Sequence, residues 1–136
     1  MTTLESLPED VIDIEVFGQL LEMDEEDERE FSQSLVWNYF EQAESTFASM
    51  DTALAEKNLQ ELSTLGHFLK GSSAAVGVIK VRDSCEAMQH YGKQFDADAD
   101  SPIDEETALS KLTQRLSSVK EEYREAEKVL RTFFGA

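Results

Sequence analysis

The residues of this sequence that are best suited to do chemistry lie within residues 66–77, which read Gly-His-Phe-Leu-Lys-Gly-Ser-Ser-Ala-Ala-Val-Gly. At about 100° per residue, a helix over this stretch has an apolar stripe formed by Leu62, Leu65, Leu69 and Val76. His67 falls on the opposite face, and Lys70, Gly71 and Ala74 follow it at i+3, i+4 and i+7. The spacing therefore predicts an exposed imidazole beside one ammonium group and a patch of small residues.

Several other chemistries lack the residues that they require. The second histidine, His90, lies on a different predicted helix from His67, and Cys85 falls on the inner face of its own helix, so no metal-ligand set forms. The sequence has no calcium loop, nucleophile elbow, phosphate-binding loop or glycine-rich kinase loop. We therefore expect no metal site and no ATP site, and we interpret Cys85 as a small core residue.

Phosphoryl acceptance by His67 is the chemistry that remains. A neutral imidazole nitrogen is a nucleophile at neutral pH, because its unperturbed pKa is about 6.5. Lys70 would balance part of the roughly two negative charges of a phosphoryl group. Glycine inside a helix costs about 1 kcal/mol, so Gly66 and Gly71 indicate a close approach of another protein. The alternative is that His67 is exposed by chance and that the glycines are sites of helix packing.

Net charge sets this region apart from the rest of the chain. The 136 residues include 29 acids and 12 bases, a formal net charge of −17, which argues against duplex DNA and anionic membranes as partners. Residues 66–95 instead carry more bases than acids, namely Lys70, Lys80, Arg82 and Lys93 against Asp83 and Glu86. One cysteine, no signal peptide and no long apolar run predict a soluble intracellular protein.

A bundle of helices is expected to position these residues. The patterns predict a loose lead-in over 1–9, a short helix over about 10–23, an acidic connector at 24–30, long helices over about 28–57, 59–76, 80–95 and 104–134, and a loop at 96–106. Candidate caps are Asp10 or Asp13, Asn58 and, as a C-terminal stop, Gly77. No strand pattern is present. We predict one all-α domain over 1–136, an antiparallel up-down-up-down four-helix bundle over about 28–134 with a short extra N-terminal helix over about 10–23 as a lid.

Two apolar residues do not fit the core stripe of the first long helix. Phe31 and Leu35 lie roughly 180° and 220° around that helix from Phe40 and form their own i, i+4 pair. The short N-terminal helix is their natural cover. Any apolar surface that it leaves open would be available to a partner.

The segment His67-Phe68-Leu69-Lys70-Gly71-Ser72-Ser73, followed by Gly77, resembles the signature of histidine-containing phosphotransfer proteins. These proteins are the intermediates of multistep His-Asp-His-Asp phosphorelays. The Met23-Asp24-Glu25-Glu26-Asp27 turn, Phe31, and residues 42–48 and 85–89 are most similar to the stand-alone fungal members. The resemblance implies that His67 is phosphorylated by an aspartyl phosphate.

The resemblance also implies roles for other residues. Lys70 would balance the phosphoryl charge, Gly71 would leave room for the partner, and Ser72 would help to fix the helix locally. Gln89 would hydrogen-bond the histidine, and Lys93 stands where a basic residue, often arginine, supports the site. The apolar docking surface for the partner would comprise Val16, Leu20, Met23, Phe31, Leu35 and Ala74.

The partners implied are the receiver domains of a hybrid histidine kinase and of response regulators, as in osmotic stress signalling. The receiver would supply the aspartate and the divalent metal, so this chain needs no cofactor and is a carrier rather than an enzyme. We expect a monomer, present in the cytoplasm and nucleus, with no nucleic-acid or membrane partner. The alternative function is an acidic helical adaptor whose apolar surface binds a partner and whose His67 is never phosphorylated.

Overall fold

The computed structural model describes residues 4–24 and 29–135. Its elements are a 3₁₀ turn (Leu4–Ser6), α1 (Ile14–Glu22), α2 (Glu30–Ala55), α3 (Leu59–Val76), α4 (Ile79–Gly92), β1 (Phe95–Asp96), β2 (Ser101–Pro102) and α5 (Glu105–Phe133). Consecutive helices from α2 to α5 pack against one another, and α5 also packs against α2. The predicted all-α class, with four long helices and one short N-terminal helix, is confirmed. None of the described helices is long and apolar enough to cross a membrane.

The helix ends follow from local hydrogen bonding. Asp13 caps α1, Asn58 caps α3 and Asp104 caps α5, each through a side-chain oxygen that accepts from a backbone N–H of the first turn. Gly77 ends α3 in the left-handed region at φ 78°, where a residue without a Cβ is favoured. Of the two candidates for the first cap, the structure selects Asp13.

The described part of the N-terminal lead-in, residues 4–9, is not loose, contrary to the sequence expectation, because Leu7 is buried in the core. Val11 and Ile12, at the start of the predicted short helix, precede α1 and are buried as well. Ile12 forms an antiparallel bridge with Val78, and the Asp13 N–H donates to the Gly77 carbonyl at 2.8 Å. These backbone bonds attach the segment before α1 to the turn between α3 and α4, and thereby place α1 on the bundle.

The expected loop after α4 contains a small hairpin instead. Strands β1 and β2 pair antiparallel, and α4 ends at Gly92 rather than near Phe95. The Asp96 carboxylate accepts from two backbone N–H groups of the turn and forms an ion pair of 3.2 Å with Lys111 on α5. Two-residue strands are too short for an alternating pattern, which explains why the sequence did not indicate them.

The charged connector between α1 and α2 is described only in part, since residues 25–28 lie outside the described ranges. At its start, the Asp24 carboxylate accepts from the Ser32 backbone N–H at 2.8 Å and from the Ser32 hydroxyl at 2.6 Å. This acid therefore supplies a cap to the first turn of α2, in agreement with the expectation that the connector favours the start of that helix.

Candidate functional site

His67 lies in the middle of α3 and is exposed, whereas Leu62 and Leu69 on the opposite side of the helix are fully buried. The exposure expected from the spacing is thus confirmed. Among the described residues, none forms a hydrogen bond with the imidazole of His67. Its nitrogens are consequently accessible to a group on another molecule.

Lys70, one turn further along α3, is held in place by α4. Its Nζ donates to Gln89 Oε1 at 3.0 Å. The resemblance implied that Gln89 bonds the histidine; among the described residues the side-chain partner of Gln89 is Lys70, and the bond to the histidine stays a prediction. The ammonium of Lys70 thus lies between the histidine face of α3 and the neighbouring helix.

Lys93 follows Gln89 by one turn, at the C-terminal cap of α4, where a positive charge is favourable. Its side chain is exposed, and it forms no ion pair within the described part of the chain. Lys93 remains a candidate for a second cation near the site, but it forms no hydrogen bond with His67 in the described part of the chain.

The two glycines beside His67 have different surroundings. A Cβ added to Gly71 would meet nothing within 4 Å, so this glycine leaves open space at the surface. A Cβ added to Gly66 would lie 2.9 Å from the Cys85 carbonyl oxygen and 3.2 Å from the Gln89 backbone nitrogen. The expectation that Gly66 serves a partner is therefore wrong, because helix packing requires it.

A buried hydroxyl pair fixes α3 to α2 behind the site. Ser73 Oγ and Tyr39 OH lie 2.8 Å apart, and burial raises the pKa of Tyr39 well above its usual value. Ser72, the candidate support residue, is only half-buried. Sequence reasoning missed Ser73, although a serine spaced by four from Leu69 and by three from Val76 on the apolar stripe was the available signal.

The excess of bases around His67 is smaller in the structure than in the sequence. Lys80 pairs with Glu125 at 3.0 Å, and Arg82 pairs with Asp83 at 2.9 Å. Of the four bases in residues 66–95, Lys70 and Lys93 have no carboxylate partner in the described part of the chain. The pairing of Lys80 could not be read from residues 66–95, because Glu125 comes from α5.

Three large apolar side chains are exposed among the described residues, namely Met23 (62%), Phe31 (47%) and Phe68 (50%). Of the other predicted docking residues, Val16, Leu35 and Ala74 are half-buried. Leu20 is a correction, because it is only 8% exposed and packs in the core. We use the name docking face for the predicted set without Leu20 and with Phe68, namely Met23, Phe31, Phe68, Val16, Leu35 and Ala74, whose role in docking stays a prediction. Phe68 was not predicted, although an aromatic residue next to His67 and off the apolar stripe was the signal.

The buried and acidic groups offer no competing centre in the described part of the chain. Cys85 is fully buried, and burial raises its pKa to about 12, which confirms its place as an unreactive core residue. No group of three or more potential metal ligands occurs within the described ranges. Of the two histidines, both within the described ranges, His67 is exposed and His90 is half-buried.

The described part of the chain is thus a helical bundle that presents His67 on an open helix face. The sequence profile of the Hpt domain matches residues 34–127, and the chain belongs to this family. It is 50% identical over 125 residues to Multistep phosphorelay regulator 1 of Schizosaccharomyces pombe, covering 91% of this chain and 42% of the relative. It is 48% identical over 88 residues to Phosphorelay intermediate protein YPD1 of Candida albicans, covering 65% and 47%. The chain thus spans about half the length of these relatives.

Solved structures share the whole fold. A crystal structure of yeast YPD1 superposes with a TM-score of 0.81 at 28% identity, covering 96% of this chain and 98% of that one. A co-crystal structure contains Saccharomyces cerevisiae Ypd1 and the receiver domain of its downstream response regulator Ssk1; its Ypd1 matches with a TM-score of 0.82 at 30% identity, covering 96% and 99%. The MtHPt2 protein of Medicago truncatula shares the fold at 21% identity, with a TM-score of 0.73 and coverage of 95% and 77%.

Proposed function

We propose that this chain is a phosphorelay intermediate. His67 accepts a phosphoryl group from the aspartate of a hybrid histidine kinase receiver domain and passes it to the aspartate of a response-regulator receiver domain. The observation that carries the proposal is the exposed imidazole of His67, which has no hydrogen-bond partner among the described residues and lies one turn before the fixed Lys70 and the open surface at Gly71. Membership of the Hpt family and the phosphorelay names of the relatives support it.

Transfer requires one bond to form and one to break. The lone pair of the unprotonated ring nitrogen attacks phosphorus, while the bond between phosphorus and the aspartyl oxygen breaks. The carboxylate leaves with the bonding electrons, and the proton on the other ring nitrogen stays or passes to water. Onward transfer is the reverse reaction with a second carboxylate, and positioning and charge supply most of the acceleration.

The neighbouring residues have distinct tasks in this reaction. Lys70 offsets the charge of the phosphoryl group, and Lys93 adds a second positive charge at the end of α4. Gly71 lets the receiver backbone approach α3, and Ser72 helps to fix α3 locally. The docking face supplies the apolar contact area that orients the two proteins before transfer.

The chain needs no ATP site, metal site or cofactor of its own under this proposal, because the receiver domain brings the divalent metal together with its aspartate. Receiver domains are its partners, and it acts as a monomer. We further propose that it works in the cytoplasm and nucleus and takes part in osmotic stress signalling. Imaging of a fluorescent fusion and growth of a deletion strain on high salt test these two statements.

Transfer of an acid-labile label tests the central proposal. The protein is mixed with a phosphorylated receiver domain, and label is followed in wild type, His67→Gln and His90→Gln. His90 is the matched control, because it is the second histidine and lies on α4. We expect label on wild type and His90→Gln and none on His67→Gln.

Two results would contradict the proposal. Label that persists on His67→Gln would remove His67 as the acceptor. Tight receiver binding with no label on wild type would favour the acidic adaptor, which the exposed apolar side chains of the docking face also support.

A further inference from the structure

Gln89 on α4 is contacted by α3 at three successive levels. The Ser63 hydroxyl donates to the Gln89 backbone carbonyl at 3.0 Å, and Lys70 Nζ donates to Gln89 Oε1 at 3.0 Å. Between them lies Gly66, where an added Cβ would be 3.2 Å from the Gln89 backbone nitrogen. Ser63, Gly66 and Lys70 are spaced by three and four residues and share one face of α3. Residue 89 therefore packs against a single face of α3.

The packing against α3 fixes the main chain of residue 89 independently of its side chain. The contacts with Ser63 and Gly66 both involve backbone atoms of Gln89, so they persist when the side chain is changed. The ammonium of Lys70 can only donate, so the atom that meets it must be the amide oxygen, which also sets the orientation of the amide. The Gln89 side chain is thus an acceptor held at a fixed place beside Lys70.

We propose that Gln89 is a positioning residue for phosphoryl transfer and that it acts through Lys70 rather than on the histidine ring. The inference rests on the proposed function. A free lysine side chain samples many rotamers and loses that freedom when its ammonium is held. Here one N–H is held by Gln89 before any phosphoryl group arrives, and two N–H donors are left for phosphoryl oxygens. A charge already in place needs little reorganisation during transfer.

Two roles for Gln89 make opposite predictions about coupling. If Gln89 acts through Lys70, its effect on the transfer rate disappears once Lys70 is replaced. If Gln89 acts on His67 directly, the two substitutions slow transfer independently and their effects multiply. A double-mutant cycle on these two residues therefore separates the roles.

The first experiment measures phosphoryl acceptance by rapid quench from a receiver domain that phosphorylates the wild type. The variants of the full chain are Lys70→Met, Gln89→Met and the double variant, with the exposed Gln114→Met on α5 as control. We expect Lys70→Met to slow acceptance on the order of tenfold and Gln89→Met about threefold. The double variant should be no slower than Lys70→Met, and Gln114→Met should match wild type. Multiplied slowing in the double variant would overturn the proposal.

The second experiment needs no phosphoryl group, so its outcome is independent of whether His67 is an acceptor. NMR relaxation reports the mobility of the Lys70 side chain, and ring nitrogen shifts report the tautomer of His67. We expect Gln89→Met to make Lys70 more mobile and to leave the His67 tautomer unchanged. A changed tautomer with unchanged Lys70 mobility would assign Gln89 to the histidine and overturn the proposal.

The substitution Gln89→Glu separates two effects, the immobilisation of the Lys70 side chain and the positive charge that Lys70 provides. The carboxylate still accepts from the ammonium, so Lys70 should be as immobile as in wild type. Its negative charge partly cancels that of Lys70, so we expect acceptance about threefold slower than wild type despite the immobile side chain. A mobile Lys70 in Gln89→Glu, equal to that in Gln89→Met, would contradict the positioning role.

Discussion

Gly66 and Gly71 both lie on α3, but Gly66 faces the neighbouring helix and Gly71 faces open space. Gly66 is buried against the backbone of α4, and the approach of the two helices there is possible only because residue 66 has no side chain. Gly71 faces open space at the surface next to His67. At the scale of the residue, one glycine lets α4 bring Gln89 to Lys70, and the other leaves open space at the surface.

Alanine at each position should separate these two effects. We expect Gly66→Ala to lower the free energy of unfolding by about 1–2 kcal/mol, because overpacking against α4 exceeds the gain in helix propensity. Gly71→Ala should raise it by about 0.5–1 kcal/mol, because an exposed helix interior gains propensity without a clash. Denaturant unfolding measures both values. A more stable Gly66→Ala or a less stable Gly71→Ala would contradict this account of the packing around the two glycines.

The short helix α1 illustrates what matters at the scale of the element. The Asp13 N–H donates to the Gly77 carbonyl and the Ile79 N–H donates to the Val11 carbonyl, which attaches the start of α1 to the α3–α4 turn. Asp24, just beyond the end of α1, caps the first turn of α2. Phe17 packs edge-on against Phe133 of α5, with ring centroids 5.2 Å apart. These contacts hold α1 at both ends and along its buried side, so its outer side can present a fixed surface.

Phe31 and Leu20 provide a matched test of which apolar side chains serve the partner. Phe31→Ala should weaken receiver binding on the order of tenfold, as expected for an aromatic contact in an interface, with a change in stability below about 1 kcal/mol. Leu20→Ala should lower the free energy of unfolding by about 2–4 kcal/mol, because Leu20 is buried. Calorimetric titration with a receiver domain and denaturant unfolding measure the two effects. A cooperative loss of folding in Phe31→Ala would place that ring in the core instead.

Charge is a property of the whole molecule, and a change in pH alters the stability of the fold through charge in two opposing ways. Acidification reduces the net charge of −17 and hence the self-repulsion of the chain. It also protonates carboxylates that are engaged in the fold. The ammonium of Lys111 and the backbone N–H of Ala99 hold the pKa of Asp96 below its usual value. Asp96 therefore contributes stability above about pH 4, and this contribution is lost as pH falls through its lowered native pKa.

The contribution of Asp96 can be isolated with Asp96→Asn and the control Asp98→Asn, whose carboxylate is exposed. Asp96→Asn should be less stable than wild type at pH 7, and the difference should shrink as pH falls from about 5 to 2. Asp98→Asn should follow the wild-type profile across that range. Chemical unfolding at a series of pH values measures this. A difference between Asp96→Asn and wild type that stays constant with pH would show that the lowered pKa does not stabilise the fold.

Periodicity was sufficient for the number, order and approximate ends of the helices, because burial of one face requires a repeat that is visible along the chain. The buried α5 residues Leu112, Leu116, Val119, Tyr123, Ala126 and Leu130 recur at spacings of four and three. The exposure of His67 followed from the same rule, since it is opposite the buried stripe. By contrast, the two-residue strands, the burial of Leu7 and Val11 before α1, and the mixed exposure of the docking face have no repeat long enough to be recognised.

The sequence by itself determined the all-helical class, the placement of His67, Lys70 and Gly71 on one open face, and the burial of Cys85, because each depends on spacing within a single helix. Only the tertiary structure decided what lies between helices. Gly66 turned out to serve α4, Gln89 to hold Lys70, and Glu125 to neutralise Lys80. The physical reason is that these contacts depend on the rotation and separation of packed helices. Spacing along one helix fixes neither quantity.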